Sequence, residues 1–146
     1  MDYNVLLTLH LFAAILFVGT VFFEVLILEN VRKRVPREVM RTMEIAIGKV
    51  ARKIIPWAIL VLYSAGVGMA WQYRAILAHP LQSSFGLLLT IKIVLALSVL
   101  AHFLTAMTLL HTGKMRSVYF RRIHISIFIH MLGIVFLAKS MFYLHW

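Results

Sequence analysis

The chain has 146 residues, 62% of them hydrophobic and 14% charged, with a formal net charge of +10 and no cysteine. Soluble domains average about 45–50% apolar and about 25% charged, and a water-soluble fold of this size buries only about two-thirds of its chain surface, so the composition excludes a soluble globular protein and requires a bilayer. Zero cysteines exclude disulfides, thiolate metal sites and cysteine nucleophiles, which leaves ligation to seven His, eight Met and five carboxylates.

Four apolar stretches are long enough to cross a bilayer, which takes about 20 residues of helix. The first runs from Val5 to Leu28. It is too long for a signal peptide, has no basic n-region and no small-x-small cleavage site, and is expected to stay in the protein. A basic segment follows, with Arg32, Lys33, Arg34, Arg37, Arg41, Lys49, Arg52 and Lys53. Within it Arg37–Lys53 reads as an amphipathic extension of the second helix, with Val39, Met43, Ala46, Ile47 and Val50 on one side. Pro36 stands just ahead of that extension, where a first helical turn tolerates proline. The second span covers Ile54–Tyr73, with Pro56 marking a kink or the start of the membrane part. The third covers Phe85–Leu110 and the fourth Ile123–Leu144. None alternates with the period of a barrel strand, so helix is the reading. Short connections imply an all-α membrane protein, a single four-transmembrane-helix domain over residues 1–146 arranged as an antiparallel up-down-up-down bundle.

The third connection adds Lys114, Arg116, Arg121 and Arg122, so two loops carry twelve of the 15 Lys and Arg, while the second connection has only Arg74. Positive loops stay in the cytoplasm. Both termini and the Arg74–Ser84 loop are therefore expected outside, in the bacterial inner (plasma) membrane. The basic run reads as a topogenic signal in contact with anionic lipid; no module that would make it a nucleic-acid site accompanies it. Trp71-Gln72-Tyr73 and the terminal His145-Trp146 read as interfacial anchors.

Polar groups inside the spans are costly and mark function by default. They are His10, Glu24, Lys92, His102, His130 and Lys139, with His111 and His124 near the cytoplasmic ends. At 1.5 Å of rise per residue, His102 and His130 each lie about four residues, or ~6 Å, inward of their span midpoints, so the two imidazoles share a depth. That inner layer fits a bis-imidazole haem built between facing helices. No Cys-x-x-Cys-His motif exists, so any haem is non-covalent haem b. Gly66, Gly68 and Gly133 would admit a flat macrocycle, with Phe103 and Phe136 lining it; the plain alternative is that these His hydrogen-bond across helices. An outer layer holds His10, Lys92 and Lys139. His10 competes as an axial ligand, Lys92 reads as partner to an anionic group such as a haem propionate or a quinone oxygen, and Lys139 snorkels to the surface. Glu24 reads either as the partner of a cationic loop residue or as a proton-uptake group. His79, beside Pro80, reads as solvated. Soft Met thioethers suit copper(I), yet the eight Met form no dense Met-x-x-x-Met pair along a span and read mainly as filling.

The stretch Leu9-His10-Leu11-Phe12-Ala13-Ala14-Ile15-Leu16-Phe17-Val18-Gly19 resembles the opening helix of the copper resistance D (CopD-like) family. Lys92 followed ten residues later by His102 resembles the third helix of that family and of its relatives, the four-helix bacterial protoporphyrinogen oxidases. The resemblance implies a haem-b-binding bundle with a functional His on the first helix and a Lys on the third. After the first-helix His the oxidases carry an aromatic-rich Gly segment and Leu-Pro-Arg, where this chain has Gly19-Thr20-Val21-Phe22-Phe23-Glu24. What carries over is therefore His10, Lys92 and His102 as site residues, and not the oxidase activity.

The resulting expectation is a haem-b-binding membrane protein in electron transfer or porphyrin-linked redox chemistry. His102 and His130 are the axial pair, His10 the competing metal ligand, and Lys92 a cofactor-binding cation. The alternatives are a copper transport or resistance protein using His10, His102 and His130 with Met107 or Met131, and a non-catalytic membrane accessory subunit. A quinone or another redox protein is the expected partner, and a homo-oligomer is left open. The absence of cysteine makes the topology directly testable. Single cysteines placed at Lys114 and at Gln82 should differ in intact cells, the first shielded from a membrane-impermeant thiol reagent and the second labelled; the opposite pattern reverses the orientation.

Overall fold

A computed structural model describes residues 2–144, so the expected His145-Trp146 anchor lies outside the described residues. The described residues form helices and connections with no strand, and four helices are long and apolar enough to cross a membrane. The protein is all-α, and the chain divides into two compact helical units, residues 2–72 and 73–144.

In the first unit Asp2 caps α1 (Tyr3–Phe22) by accepting from the Asn4 amide. The helix continues through a π-helical stretch, Phe23–Leu28, into a last turn, α2 (Glu29–Val31). Glu24 sits half-buried in that π-helical stretch. After Pro36 the chain enters α3 (Arg37–Gln72), a 36-residue helix. Leu6 faces Gly68, His10 faces Leu62 and Gly66, and Arg32 reaches Glu44. Partner numbers fall as residue numbers rise, so the two helices are antiparallel. The seam is read from burial: Leu6, Ala13, Phe17, Val21 and Leu28 on one side, Met40, Ala58, Ile59 and Ala65 on the other. The first set repeats at sevens and fours, the spacing that keeps one stripe toward a partner helix. At the loop end the Arg32 guanidinium is shared between Glu29 and Glu44, which ties the two helices together across the turn.

Two expectations are sharpened here. The basic segment does extend the second helix, but the residues turned into the unit are Met40, Glu44, Ile47 and Ala51, while Val39, Met43, Ala46 and Val50 are exposed. Both stripes have helical period; the charged Glu44 hid the inward one. Pro56 neither starts nor ends a helix. It sits inside α3 and removes only the amide that the Arg52 carbonyl would otherwise receive.

The second unit opens with the short α4 (Arg74–Ala78) and a 3₁₀ turn, Pro80–Gln82. Ser83 then caps α5 (Ser84–His111), its hydroxyl accepting from the Gly86 amide at 3.1 Å. A short turn leads to α6 (Ser117–Ser140), which begins six residues before the expected fourth span because the mixed segment Ser117–Arg122, with Arg121 and Arg122 at its end, is still helical. Leu95 faces Gly133, Ser98 faces His130, and His102 faces Ser126, again antiparallel. Leu88, Leu89 and Met141 form the packed end of this pair, with Tyr73, Leu77, Phe85, Ile93 and Leu137 around them. Phe85 lies 5.3 Å from Tyr73 and 5.9 Å from Phe142, centroid to centroid.

Neither unit hides its apolar surface. Phe12, Ile15, Trp57, Val67, Trp71 and Phe136 are each about two-thirds exposed, an arrangement suited to lipid and not to water. Among the described residues, the turn after α5 is the one place where a left-handed backbone dictates the residue. Gly113 has φ +66°, its amide bonds to the Leu110 carbonyl, and the Lys114 amide bonds back to Leu109. This is the paired closure of a helix ending in a left-handed residue. Gly113→Ala should cost about 1–2 kcal/mol, read as a lowered midpoint of thermal unfolding in detergent; an unchanged midpoint would show that the turn is not held in this form.

Candidate functional site

Helical periodicity places a serine four residues before each of two deep histidines: Ser98 and His102 on α5, Ser126 and His130 on α6. Residues four apart stack on one helix face, so each helix presents a Ser–His couple along a single stripe. Because α5 and α6 are antiparallel, the two couples meet head to tail. Ser98 Oγ donates to His130 Nε2 at 3.1 Å, and Ser126 Oγ donates to His102 Nε2 at 3.0 Å. Each imidazole also turns Nδ1 back onto its own helix. His102 Nδ1 donates to the Ser98 carbonyl and His130 Nδ1 to the Ser126 carbonyl, both at 2.7 Å. The ring centroids are 5.4 Å apart at an interplanar angle of 50°.

A carbonyl can only accept, so both rings are held with a proton on Nδ1, and in the neutral imidazole the lone pair is then on Nε2. The two lone pairs come from opposite helices, and each is engaged by the other helix's hydroxyl. The structure brings His102 and His130 to one level, as their depth in the sequence leads one to expect. The two serines share the repeated Ser-x-x-x-His spacing, but a hydroxyl is tolerated in a membrane helix and gives no sequence signal comparable to that of an ionisable group. Leu95 and Gly133, one turn away, keep this seam tight, since a Cβ on Gly133 would come within 3.3 Å of Leu95 Cδ1.

His10 belongs to the first unit. Its Nδ1 donates to the Leu62 carbonyl of α3 at 2.9 Å, and the ring lies over Gly66, where a Cβ would meet Cε1 at 3.3 Å. Gly66 therefore serves the histidine ring. His10 carries the same Nδ1–H arrangement as the other two, but it takes its carbonyl from the neighbouring helix.

The remaining candidates sort by surroundings. Lys92 is half-buried on α5 with no hydrogen bond or ion pair to any described residue. Lys139 is exposed near the end of α6, its Nζ 5.0 Å from the Tyr143 ring centroid. His124 bonds its own helix at the Phe120 carbonyl and stacks on Phe120 at 4.1 Å; His79 and His111 are exposed. Phe103 is half-buried, whereas Phe136 is largely exposed. Met40, Met131 and Met141 are buried as side-chain filling, and Met107 is half-buried. Among the described residues no three His, Asp or Glu side chains gather as a metal cluster. The chain matches no protein-family model, no curated protein and no solved structure.

Two imidazoles with fixed tautomers can do two things chemically. They can latch the helices, each hydroxyl bond contributing about 0.6–1 kcal/mol in a membrane setting, or they can give both lone pairs to a metal once the hydroxyls turn away. Zinc prefers three or four protein ligands, so two imidazoles match instead the axial demand of haem iron or copper(I). The crossed geometry makes a sharp prediction for double-mutant cycles on stability in detergent. Ser98→Ala with His130→Ala, and Ser126→Ala with His102→Ala, should each show a coupling of about 1 kcal/mol. Ser98→Ala with His102→Ala should show almost none, because His102 uses only the backbone of Ser98. Equal coupling within and across helices would contradict the arrangement.

Proposed function

We propose that the protein is a multi-pass membrane protein that holds a redox-active metal through His102 and His130 and works in electron transfer. The observation that supports this reading is the pair of Nε2 lone pairs brought from two helices to one level with both Nδ1–H groups tied to carbonyls, the hydrogen-bonding habit of metal-bound imidazoles. The shared chemistry is a metal centre that accepts two imidazole nitrogens.

Haem b is the first reading. It needs two axial nitrogens and no further protein ligand, and the resemblance of the first and third spans implies it. When bound, haem supplies one-electron chemistry at iron. The chain's part is to present the two imidazoles, exclude water and balance charge. Lys92, about 15 Å along the helix from His102 at the standard rise, is the cation placed to meet a propionate. The seam sets a condition on this reading: a macrocycle between the two rings requires α5 and α6 to part where Leu95 meets Gly133. His10, with its own fixed Nδ1–H, would hold the group without that demand. Copper is the second reading, favoured by that same close seam, since a single ion asks only that the two hydroxyls turn away. A quinone or another redox protein would exchange the electron, and the basic connections orient both termini away from the cytoplasm in a bacterial inner membrane.

One preparation separates the sources. The full chain, expressed with haem supplementation and purified in detergent, should show a Soret band that shifts on dithionite reduction, with one haem per chain. His102→Ala or His130→Ala should abolish or shift that band. Loss only in His10→Ala moves the ligand to the first unit. Stoichiometric copper without a Soret band selects the second reading. Neither haem nor copper in the wild-type chain overturns the metal centre and leaves the crossed pair as a helix latch.

A further inference from the structure

Away from the histidines, one face of the first unit carries a furrow of about 460 Å³ between α1 and α3. Its floor is made by two small side chains, Ala13 and Ala58, both buried. Its walls are large apolar side chains that stand out from the surface: Phe12 and Leu16 from α1, Trp57 and Val61 from α3. Alanine on each of the two antiparallel helices leaves an open depression between the ridges, because neither side chain fills the space. Lys53 closes the end of that depression nearest the basic connection. It has no ion pair or hydrogen bond to any described residue. Trp57 stands one turn further into the apolar span, the position of an interfacial aromatic.

We propose that this furrow is a binding site for one anionic phospholipid, with an acyl chain lying on Ala13 and Ala58 between Phe12 and Trp57 and the phosphate meeting Lys53. Charge and shape agree on the occupant. The open, apolar furrow matches a hydrocarbon chain, and the single cation at its mouth matches a phosphate at the headgroup level. A zwitterionic lipid would offer the same chain but place an ammonium beside Lys53. The segment that leads into the furrow, Arg37–Lys53, holds Arg37, Arg41, Lys49, Arg52 and Lys53 against only Glu38 and Glu44, and Glu44 is engaged by Arg32. The surrounding field thus draws anionic headgroups to this leaflet, and Lys53 selects one at the furrow. The site does not depend on the metal reading.

Trp57 is the reporter. In the full-length chain with Trp71→Phe and Trp146→Phe, its fluorescence is followed in mixed micelles containing brominated phosphatidylglycerol or brominated phosphatidylcholine. Phosphatidylglycerol should half-quench at about fivefold lower lipid fraction, the equivalent of the roughly 1 kcal/mol that one cation contributes near an anionic headgroup. Lys53→Gln, an exposed change that leaves helix content unaltered by circular dichroism, should erase the preference. Lys49→Gln, an equal loss of charge outside the furrow, should retain it. Equal quenching by the two lipids in the wild-type background overturns the proposal. So does a loss of preference in Lys49→Gln as large as in Lys53→Gln, which would assign the effect to the general basic field. Trp57 that neither lipid quenches, in a chain that runs as a dimer, would assign the furrow to a second copy and overturn it as well.

Discussion

Hydrocarbon offers an imidazole no hydrogen bond, so every deep histidine in this chain has to be satisfied by the helix pair that carries it. That constraint organises both units. In the first, His10 reaches across to a backbone carbonyl, which requires the neighbouring helix to come close and explains why Gly66 stands under the ring. In the second, each imidazole spends one nitrogen on its own helix and the other on a serine across the seam. An antiparallel pair with serine and histidine four residues apart satisfies all four ring nitrogens at once only in one register. The polar crossing therefore selects a register that apolar packing alone leaves open: α5 and α6 are hydrophobic on most of their circumference, and sliding one helix by a turn would cost little in burial against lipid.

On the metal reading proposed above, the same bonds that hold the helices also prepare the imidazoles for ligation. A helical histidine that donates Nδ1 to the carbonyl one turn back has its basic nitrogen turned outward in a fixed orientation. The serine hydroxyl then acts as a placeholder, because it donates to Nε2 and can rotate away without breaking the backbone contact. A metal competing for the site has to exceed two hydroxyl bonds of about 1 kcal/mol each, a small sum beside a metal–imidazole bond. On that reading, latch and ligand would be two states of one arrangement, separated by a rotation about two serine χ1 angles.

The features that depend on length and period could be read from the chain alone. Four helices, the extension of the second ahead of its membrane part, and the common depth of His102 and His130 follow from counting residues at a fixed rise. What escaped notice depended on which face meets which partner. Val39, Met43 and Val50 made an apolar stripe on paper, but the inward stripe contains Glu44, whose charge is compensated by Arg32 twelve residues earlier in sequence. Ser98 and Ser126 carry no charge and little hydropathy signal, and their role exists only once two helices are antiparallel in a given register. Gly66 and Gly133 read as openings for a macrocycle because a missing side chain looks the same whether a cofactor, an imidazole or a leucine fills the space.

The two seams also differ in what they leave exposed, and the difference is chemical. Along α5 and α6 the small and polar residues turn into the seam, where Gly133 admits Leu95 and the serines meet the histidines. Along α1 and α3 the glycine at position 66 is taken by His10, but Ala13 and Ala58 leave a furrow that no side chain of the unit fills. In water such a furrow between large apolar ridges would be a liability. In a bilayer it is a place where a lipid chain packs against two helices instead of against other lipid, gaining contact on three sides. Lys53 then converts a non-specific contact into a selective one, because a cation at the headgroup level distinguishes lipids that share the same tails. The basic connection brings a cation to the mouth of the furrow, so the run of charge expected to orient the chain would serve recognition as well.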